Sequence, residues 1–591
     1  MKRIAVAVAV ALVAVLAPGV SAGVPAGAVP AERALYADGP GGRYLLNSGW
    51  SYRDGAGPYR PVRIPNAIRP RDLSDRGFRS GVRWYRDAFT LPPAAGATGW
   101  VLRFESVNRR ADVWLNGRRL GRHDGAFLAF ELPATGIRPG RNELVVRVDG
   151  RMSRTALPPA GRPTGWWNSG GILREVYLRR LTTFDARDLR VVATPGSPAP
   201  VRVEARAVNT TGAAAPLSYT LDVTGPGGFA TTVSGDLGTV APGASAPIAA
   251  ALSIPGARVW EPGAPALYEA RLTLTGGQET VAHFGVRRWS VEAGRALLNG
   301  RPLDLRGASL HEQTAAHGAA LTPADRRRLV KELTSLGATF TRAHYPLHPA
   351  LLEAFDRLGI VVWDQVPVWR LSGRELAGPL RARALGDLDA LVRRDRNHAS
   401  VMAWSVENET LRGGSAEARY LAAAAALVRR LDATRLVAAD VPLRPLDAVP
   451  GALRGLDAIG INDYVGWYGG SLPGDLLADL RRLRARFPAQ ALFVTEFGAE
   501  ANRRGPAARK GTYAFQTRFL RRSLDAFARS GVLGGSLVWA LRDFAVRPGW
   551  DGGNPRPHPP FNEKGLFRLD GTPKPAVAYV RAAFAATRPA R

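Results

Sequence analysis

The sequence contains no cysteine. Disulfides and thiolate metal sites are therefore excluded. Its eight histidines are scattered, with none at the helix-borne spacing of a metal site, so neither a metal nor a cofactor is implied. Lysine is scarce, and the formal net charge of +30 rests on arginine spread through every region. No dense basic run is interleaved with aromatics, which argues against a nucleic-acid partner. An acidic substrate is compatible with such a charge. Beyond the first residues no stretch is long and apolar enough to cross a membrane.

What is present begins with a leader. Lys2 and Arg3 precede an apolar run from Ile4 to Ala17, and Val20-Ser21-Ala22 offers a small-x-small cleavage site. The run is shorter than the roughly 20 residues of a membrane span, and Pro18-Gly19 interrupts it. Residues 1–22 therefore read as a signal peptide, which implies a secreted protein with no membrane anchor after cleavage.

At 591 residues the chain is too long for one hydrophobic core. Residues 23–181 carry short β runs such as Trp84–Phe89, Val101–Phe104, Ala111–Leu115 and Leu144–Val148, with turns such as Asn116-Gly117. They read as a β-sandwich of jelly-roll-like type. Residues 182–288 continue with clean alternation over Val201–Val208 and Tyr268–Leu274, which suggests an immunoglobulin-like sandwich of about seven strands. From residue 289 to 591 apolar strands alternate with amphipathic helices. Strands are expected near 304–310, 338–343, 360–364, 401–406, 435–439, 457–461, 491–496 and 535–540. Thr322-Pro323-Ala324-Asp325 carries the start signals of a helix, and Gly337 and Gly359 fit left-handed helix ends. The expectation is a multidomain chain: two β-sandwiches followed by a C-terminal (β/α)8 TIM barrel.

A barrel of this kind does its chemistry at the C-terminal ends of its strands. Those ends carry His311-Glu312, Arg342-Ala343-His344-Tyr345, Trp404 to Glu409, Asn462-Asp463-Tyr464 and Thr495 to Gly498. Glycoside hydrolysis needs two carboxyl groups facing one anomeric carbon, roughly 5 Å apart when configuration is retained. Glu409 and Glu496, after the fourth and seventh strands, sit across the ring from each other. Glu409 would have to be protonated and Glu496 ionised. A single Glu after a strand is more often a solvated loop residue; Asn408-Glu409 together with Thr495-Glu496-Phe497-Gly498 is a far more specific pattern. Glu407 either tunes Glu409 through like charge or points away on the alternating strand, and the second is favoured.

These motifs resemble glycoside hydrolase family 2, the family of β-galactosidases, β-glucuronidases and β-mannosidases. The resemblance covers nearly the whole mature chain. Trp84-Tyr85-Arg86, Ala111 to Gly117 and Trp166 to Ile172 resemble its sugar-binding-like domain. Arg342 to Pro346, Trp404 to Glu409 and Thr495 to Gly498 resemble its barrel motifs. The resemblance implies a retaining exo-β-glycosidase with Glu409 as acid/base and Glu496 as nucleophile. It also implies that His311, His344 and Asn408 hold sugar hydroxyls. Many members have two residues between the Arg and the His where only Ala343 stands here. Strand alternation therefore leaves open whether Arg342 faces the pocket. Asp364 is expected to support the pocket from the third strand.

The sugar is suggested by the glucuronidase branch. Asn462 to Tyr468, with Tyr464 and Tyr468, resembles its sixth-strand loop, and Trp539 ends the eighth strand as there. Asn562-Glu563-Lys564-Gly565 resembles its Asn-x-Lys motif, in which an amide and an ammonium pair with the sugar carboxylate. Two positions depart from that branch: Gly165 stands where an Asp is usual, and His558 where an Arg is expected. Related galactosidases carry similar strings. The first expectation is a β-glucuronidase acting on terminal β-glycosides, with a β-galactosidase or another family 2 β-glycosidase as the alternative. The rival class is a silent carbohydrate-binding protein, which would lack one Glu; here both are present. The sandwiches either support the barrel rim or build a homo-oligomer interface.

Overall fold

The computed structural model of the chain describes residues 27–161, 164–410 and 414–586. The expected signal peptide, residues 1–22, lies outside the described residues.

The first sandwich packs one antiparallel sheet, containing Val82–Thr90, Arg141–Asp149 and Val107–Leu115, on a second made of Phe130–Pro133, Gly99–Phe104, Val176–Leu181 and Arg43–Leu45. Alternate residues turn inward. Leu144, Val146 and Val148 meet Leu102, Phe104 and Leu178 in one core, as two-sheet packing requires. Asn116 and Gly117 both adopt positive φ, 51° and 80°, and join Val107–Leu115 to Arg118–Gly125 in a tight hairpin. The second sandwich sets Phe184–Ala193, Ala199–Asn209 and Ser245–Ile254 against Ala215–Gly225, Phe229–Val240, Tyr268–Leu274 and Gln278–Phe284. Gly39–Pro40 adds to its edge.

The barrel closes through eight parallel strands: β1 Leu305–Ser309, β2 Phe340–Arg342, β3 Val361–Gln365, β4 Val401–Asn408, β5 Leu436–Pro442, β6 Ala458–Asp463, β7 Ala491–Phe497 and β8 Leu533–Trp539. All eight overlap the expected stretches. The helices used below are α1 Pro323–Ser335, α2 Pro349–Leu358, α3 Pro379–Asp395 and α4 Gly414–Leu431. Thr322 caps α1: its side chain accepts from the Asp325 amide, and the Asp325 side chain answers the Thr322 amide. Gly337 and Gly359 take φ of 71° and 68° at the ends of α1 and α2, where a Cβ would be strained.

Strand parity decides which residues reach the barrel mouth. In β3, Val361 and Trp363 pack in the barrel interior, whereas Val362 packs toward the helices. Gln365 therefore shares the inner face and Asp364 does not. This corrects the expectation for Asp364. Burial and the neighbouring Asp395 of α3 hold its carboxyl well above the usual range, with Arg394 opposing, so it belongs to the helix layer. Two site-bearing strands break alternation near their ends. Pairing slips between Ser405 and Asn408 of β4 against β5, and in β7 between Val494 and Glu496 against β6 and between Val494 and Phe497 against β8. Such bulges re-aim side chains. They bring Ser405 and Asn408 to the inside while Glu407 turns outward to Thr410, whose hydroxyl donates to it at 2.6 Å.

The first sandwich is riveted to the barrel by buried ions. Glu175 accepts from Arg326 of α1 at 2.7 Å and pairs with His348, at the start of α2, at 2.7 Å. Arg174 donates to Glu312 at 2.8 Å and to the Pro346 carbonyl at 2.7 Å. This joint carries the loop with Trp166 to the barrel mouth, where its ring stacks on His344 at 5.6 Å.

Candidate active site

Glu496, near the end of β7, is buried. Arg342 Nη1 donates to its Oε1 at 2.9 Å, and the Tyr464 hydroxyl donates to its Oε2 at 2.8 Å. His344 Nε2 lies 3.4 Å from Oε1. Burial pushes the Glu496 carboxyl up to about 7; Glu409 adds to the rise, while Arg342 and Tyr464 pull it back. Burial thus opposes the ionised form expected of Glu496, while Arg342 and Tyr464 support it.

Glu409 follows β4 immediately. Its φ of 51° is left-handed, a conformation that non-glycine residues hold only where their surroundings impose it. Its amide donates to the Asp440 carbonyl at 2.8 Å. Asn462 Nδ2 donates to Oε1 at 2.9 Å, and Arg370 Nε stands 3.7 Å from Oε2. Glu409 and Glu496 line one cleft of about 720 Å³, together with His344, Asn462, Tyr464, Tyr468, Trp539, Asn562 and Lys564.

Arg342, Asn408 and His311 lie a layer behind that cleft. Arg342 shares the interior face of β2 with Phe340, so it points toward the mouth. Its Nε donates to Gln365 Oε1 at 3.0 Å and its Nη2 to Asn408 Oδ1 at 2.7 Å. Asn408 Oδ1 also accepts from Asn462 Nδ2 at 3.1 Å, and Asn462 Oδ1 accepts from Thr495 Oγ1 at 3.2 Å. Asn462 is therefore the bridge between the surroundings of the two carboxyls. His311 stacks on Phe544 at 4.0 Å, with Nδ1 3.2 Å from the Tyr345 hydroxyl. Burial, aided by the Arg342 charge, pushes His311 down to about 3 and holds His344 well below the usual range. Burial thus favours the neutral form of both rings.

The other end of the cleft is built around Lys564. The residue is buried, with its ammonium 5.2–5.6 Å from the ring centres of Tyr464, Trp467, Tyr468 and Trp550. It donates to the Tyr468 hydroxyl at 3.1 Å, the Gly552 carbonyl at 3.3 Å and Glu500 Oε1 at 3.4 Å. Burial works against the charge, but Tyr468 and Glu500 outweigh it and raise the pKa. Asn562 Oδ1 accepts from the Lys564 amide at 3.1 Å.

Several residues that build the site went unseen in the sequence. Gln365 holds Arg342. Asp440 Oδ2 lies 3.4 Å from Arg342 and accepts from Trp363 Nε1 at 3.1 Å. Trp369, Arg370, Arg444, Arg547 and Trp550 line the cleft. They come from loops whose only signal was their place after a strand. Gly165 also lines it, and a Cβ there would meet the Trp369 ring at 2.9 Å. The missing side chain makes room for that indole. His558 is exposed and pairs with Glu563 at 3.2 Å.

Comparison with known proteins gives two family matches: "Glycosyl hydrolases family 2, TIM barrel domain" over residues 289–588 and "Glycosyl hydrolase 2 galactose-binding domain-like" over residues 77–179. The chain is 27% identical over 563 residues to a β-glucuronidase of Bacteroides fragilis, covering 89% of this chain and 79% of that one. It is 26% identical over 379 residues to a β-galactosidase of Thermoanaerobacter pseudethanolicus, covering 62% and 50%. The solved structure of a Bifidobacterium dentium β-glucuronidase complexed with coumarin-3-O-glucuronide shares the fold with a TM-score of 0.81 at 24% identity, over 96% of this chain and 100% of that one.

Proposed function

The chain belongs to glycosyl hydrolase family 2, and from that premise we propose that it is a retaining exo-β-glycosidase whose preferred sugar is a β-glucuronide. Glu496 attacks the anomeric carbon while Glu409 gives its proton to the leaving oxygen. Water then enters on the side of Glu409, which takes its proton, and the bond to Glu496 breaks. Arg342 and Tyr464 hold the two oxygens of Glu496 and orient it for in-line attack. Asn462 fixes the Glu409 carboxyl.

One observation carries the choice of sugar: a buried ammonium borders the cleft without a tight partner. The contacts of Lys564, 3.1–3.4 Å, are long for a charged donor, which prefers roughly 2.7–2.9 Å. A sugar carboxylate supplies the missing close acceptor. The β-galactosidase relative keeps a second reading in view, in which a neutral sugar hydroxyl meets Lys564. The test is turnover of matched p-nitrophenyl β-glucuronide, β-galacturonide and β-galactoside by the protein and its Lys564→Ala variant. The glucuronidase reading expects glucuronide turnover to dominate and to be lost selectively in the variant. Dominant galactoside turnover, indifferent to Lys564→Ala, would overturn it in favour of the second reading. Glu409→Gln lowers kcat by roughly 10²–10⁴-fold if it is the general acid.

The leader at residues 1–22 supports a secreted enzyme. N-terminal sequencing of protein from the culture medium checks this, and retention of the full chain inside the cell would refute it.

A further inference from the structure

We propose that Glu500 is the positioning residue behind Lys564: its carboxylate holds the ammonium charged and aimed at the cleft, and pins residues 550–552 around it. The inference rests on the glucuronidase reading above and names the residue through which a sugar carboxylate is recognised.

Glu500 follows Glu496 on the chain leaving β7 and is buried, as is Lys564. Its Oε1 accepts from Trp550 Nε1 at 3.1 Å and from Lys564 Nζ at 3.4 Å. Gly552 packs directly on this carboxyl. A Cβ at Gly552 would overlap Glu500 Oε1, and φ there is 59°, so the position favours a residue with no side chain. The Gly552 carbonyl in turn accepts from Lys564 Nζ at 3.3 Å and from Trp467 Nε1 at 2.9 Å. Lys564, Trp550 and Gly552 line the cleft, and Glu500 stands outside that lining. The carboxylate therefore acts through its neighbours and leaves the cleft face of the ammonium to a ligand.

Charge decides what a carboxylate does there. Burial among aromatic rings favours the neutral form of a lysine. Among the described residues Glu500 is the only carboxyl within 4 Å of the Lys564 ammonium. Glu496 accepts from Arg342 and Tyr464. Glu563 is taken by Asn502 at 2.6 Å and His558 at 3.2 Å, and Asp543 by Lys574 at 2.7 Å. Asp551 lines the cleft. Two further cations share the rings around Lys564: Lys510 lies 5.4 Å from the Trp467 ring centre and Arg547 4.9 Å from that of Trp550. Like charges at that range disfavour another cation. Burial lowers the Lys564 pKa, yet Tyr468 and Glu500 outweigh it. Glu500 Oε2 is buried with no hydrogen-bond partner among the described residues, a cost that an apolar side chain would avoid. Packing alone does not call for a carboxylate at this place. With Glu500 present, an acidic sugar meets an ammonium already charged, the state that close pairing requires. Without it, the acidic sugar loses its partner at lower pH, and a neutral sugar loses little.

The test follows Lys564 directly. The chain has five lysines, so the Cε resonances of isotope-labelled lysine are few, and Lys564→Ala identifies the one sought. Its titration is compared in the unaltered protein, Glu500→Gln and Glu500→Asp. Alongside, kcat/KM is measured against pH on matched methylumbelliferyl β-glucuronide, β-glucoside and β-galactoside. Glu500→Gln keeps an acceptor for Trp550 and removes the charge. In that variant the Lys564 signal should titrate at lower pH, and the alkaline limb of glucuronide turnover should move with it. On that limb kcat/KM for the glucuronide should fall roughly 10- to 100-fold, the size of a hydrogen bond to a charged group, with the neutral glycosides changed far less. Glu500→Asp, which restores the charge, should return both readouts toward the unaltered values. A Lys564 titration indifferent to Glu500→Gln overturns the proposal, as does an equal loss on acidic and neutral glycosides, which mere support of the fold would produce. The unaltered protein gives a check that needs no variant: Lys564 should hold its proton to about the 10.4 of a free lysine or beyond, and a titration below that value overturns the proposal. Galactoside turnover without glucuronide turnover, beside a Lys564 titration that depends on Glu500, sustains the positioning role and overturns the glucuronidase reading.

Discussion

At the scale of single residues, Glu496 carries the clearest pH signature. Burial raises its carboxyl to about 7, and the proposed attack on the anomeric carbon requires the ionised form. The acid limb of kcat/KM is therefore expected near pH 7, with activity rising as the proton leaves. Tyr464 pulls that pKa down, so Tyr464→Phe should move the limb to higher pH; a pH–rate profile that does not move would deny Tyr464 this role. Arg342 teaches a different lesson. A single intervening residue, Ala343, made its direction ambiguous in the sequence. Phe340, two positions earlier and packed inside the barrel, settles it by parity. Asp364 and Gln365 show the reverse: the ionisable residue drew attention, while its neutral neighbour makes the contact with Arg342.

At the scale of elements, caps and termini were legible because they are local. The Thr322–Asp325 capping box of α1 is written in four consecutive residues. Thr322→Ala should cost about 1 kcal/mol, seen as faster amide exchange in the first turn of α1 with the rest of the barrel unchanged. Partners of buried helix-layer charges were not legible. His398, just after α3, lies 2.6 Å from Asp356 of α2. Burial lowers its pKa, but Asp356 outweighs burial and raises it to about 9. The folded state thus binds this proton more tightly than the unfolded chain, whose His titrates near 6.5. The stabilisation is full below about 6.5 and is lost as pH rises through about 9. In thermal melts His398→Asn should lie furthest below the unaltered protein at pH 6, with the gap narrowing toward pH 9.5.

At the scale of the whole molecule, the sandwich–barrel joint connects stability to the site. Burial works against the Glu175 charge, but His348 and Arg326 outweigh it and hold the carboxyl well below its usual range. Glu175→Ala leaves Arg326 buried without its counter-ion, a loss of roughly 3–5 kcal/mol for such a pair, and leaves His348, whose pKa burial lowers, without its hydrogen-bond partner. Because the same joint carries Trp166 onto His344, the variant should lose kcat/KM along with melting temperature. Unchanged kcat/KM in a destabilised variant would show that Trp166 keeps its place without the joint. The first sandwich therefore contributes to the cleft, and a barrel expressed alone would lack both Trp166 and Gly165.

The sequence by itself determined the layered architecture, the eight barrel strands and the place of two glutamates at the ends of the fourth and seventh. Each of these is set by short-range physics: apolar periodicity, turn and cap chemistry, and a few residues at a strand end. The tertiary structure alone decided which neighbours of those glutamates reach the cleft. Slips in strand pairing at Ser405–Asn408 and Val494–Phe497 change the face on which a side chain emerges, and no pattern within one strand announces them. Residues as distant as Gly165, Trp369, Arg547 and Lys564 meet only because the barrel closes and the sandwich docks on its rim. Their proximity arises from packing between elements, which no local stretch of sequence encodes.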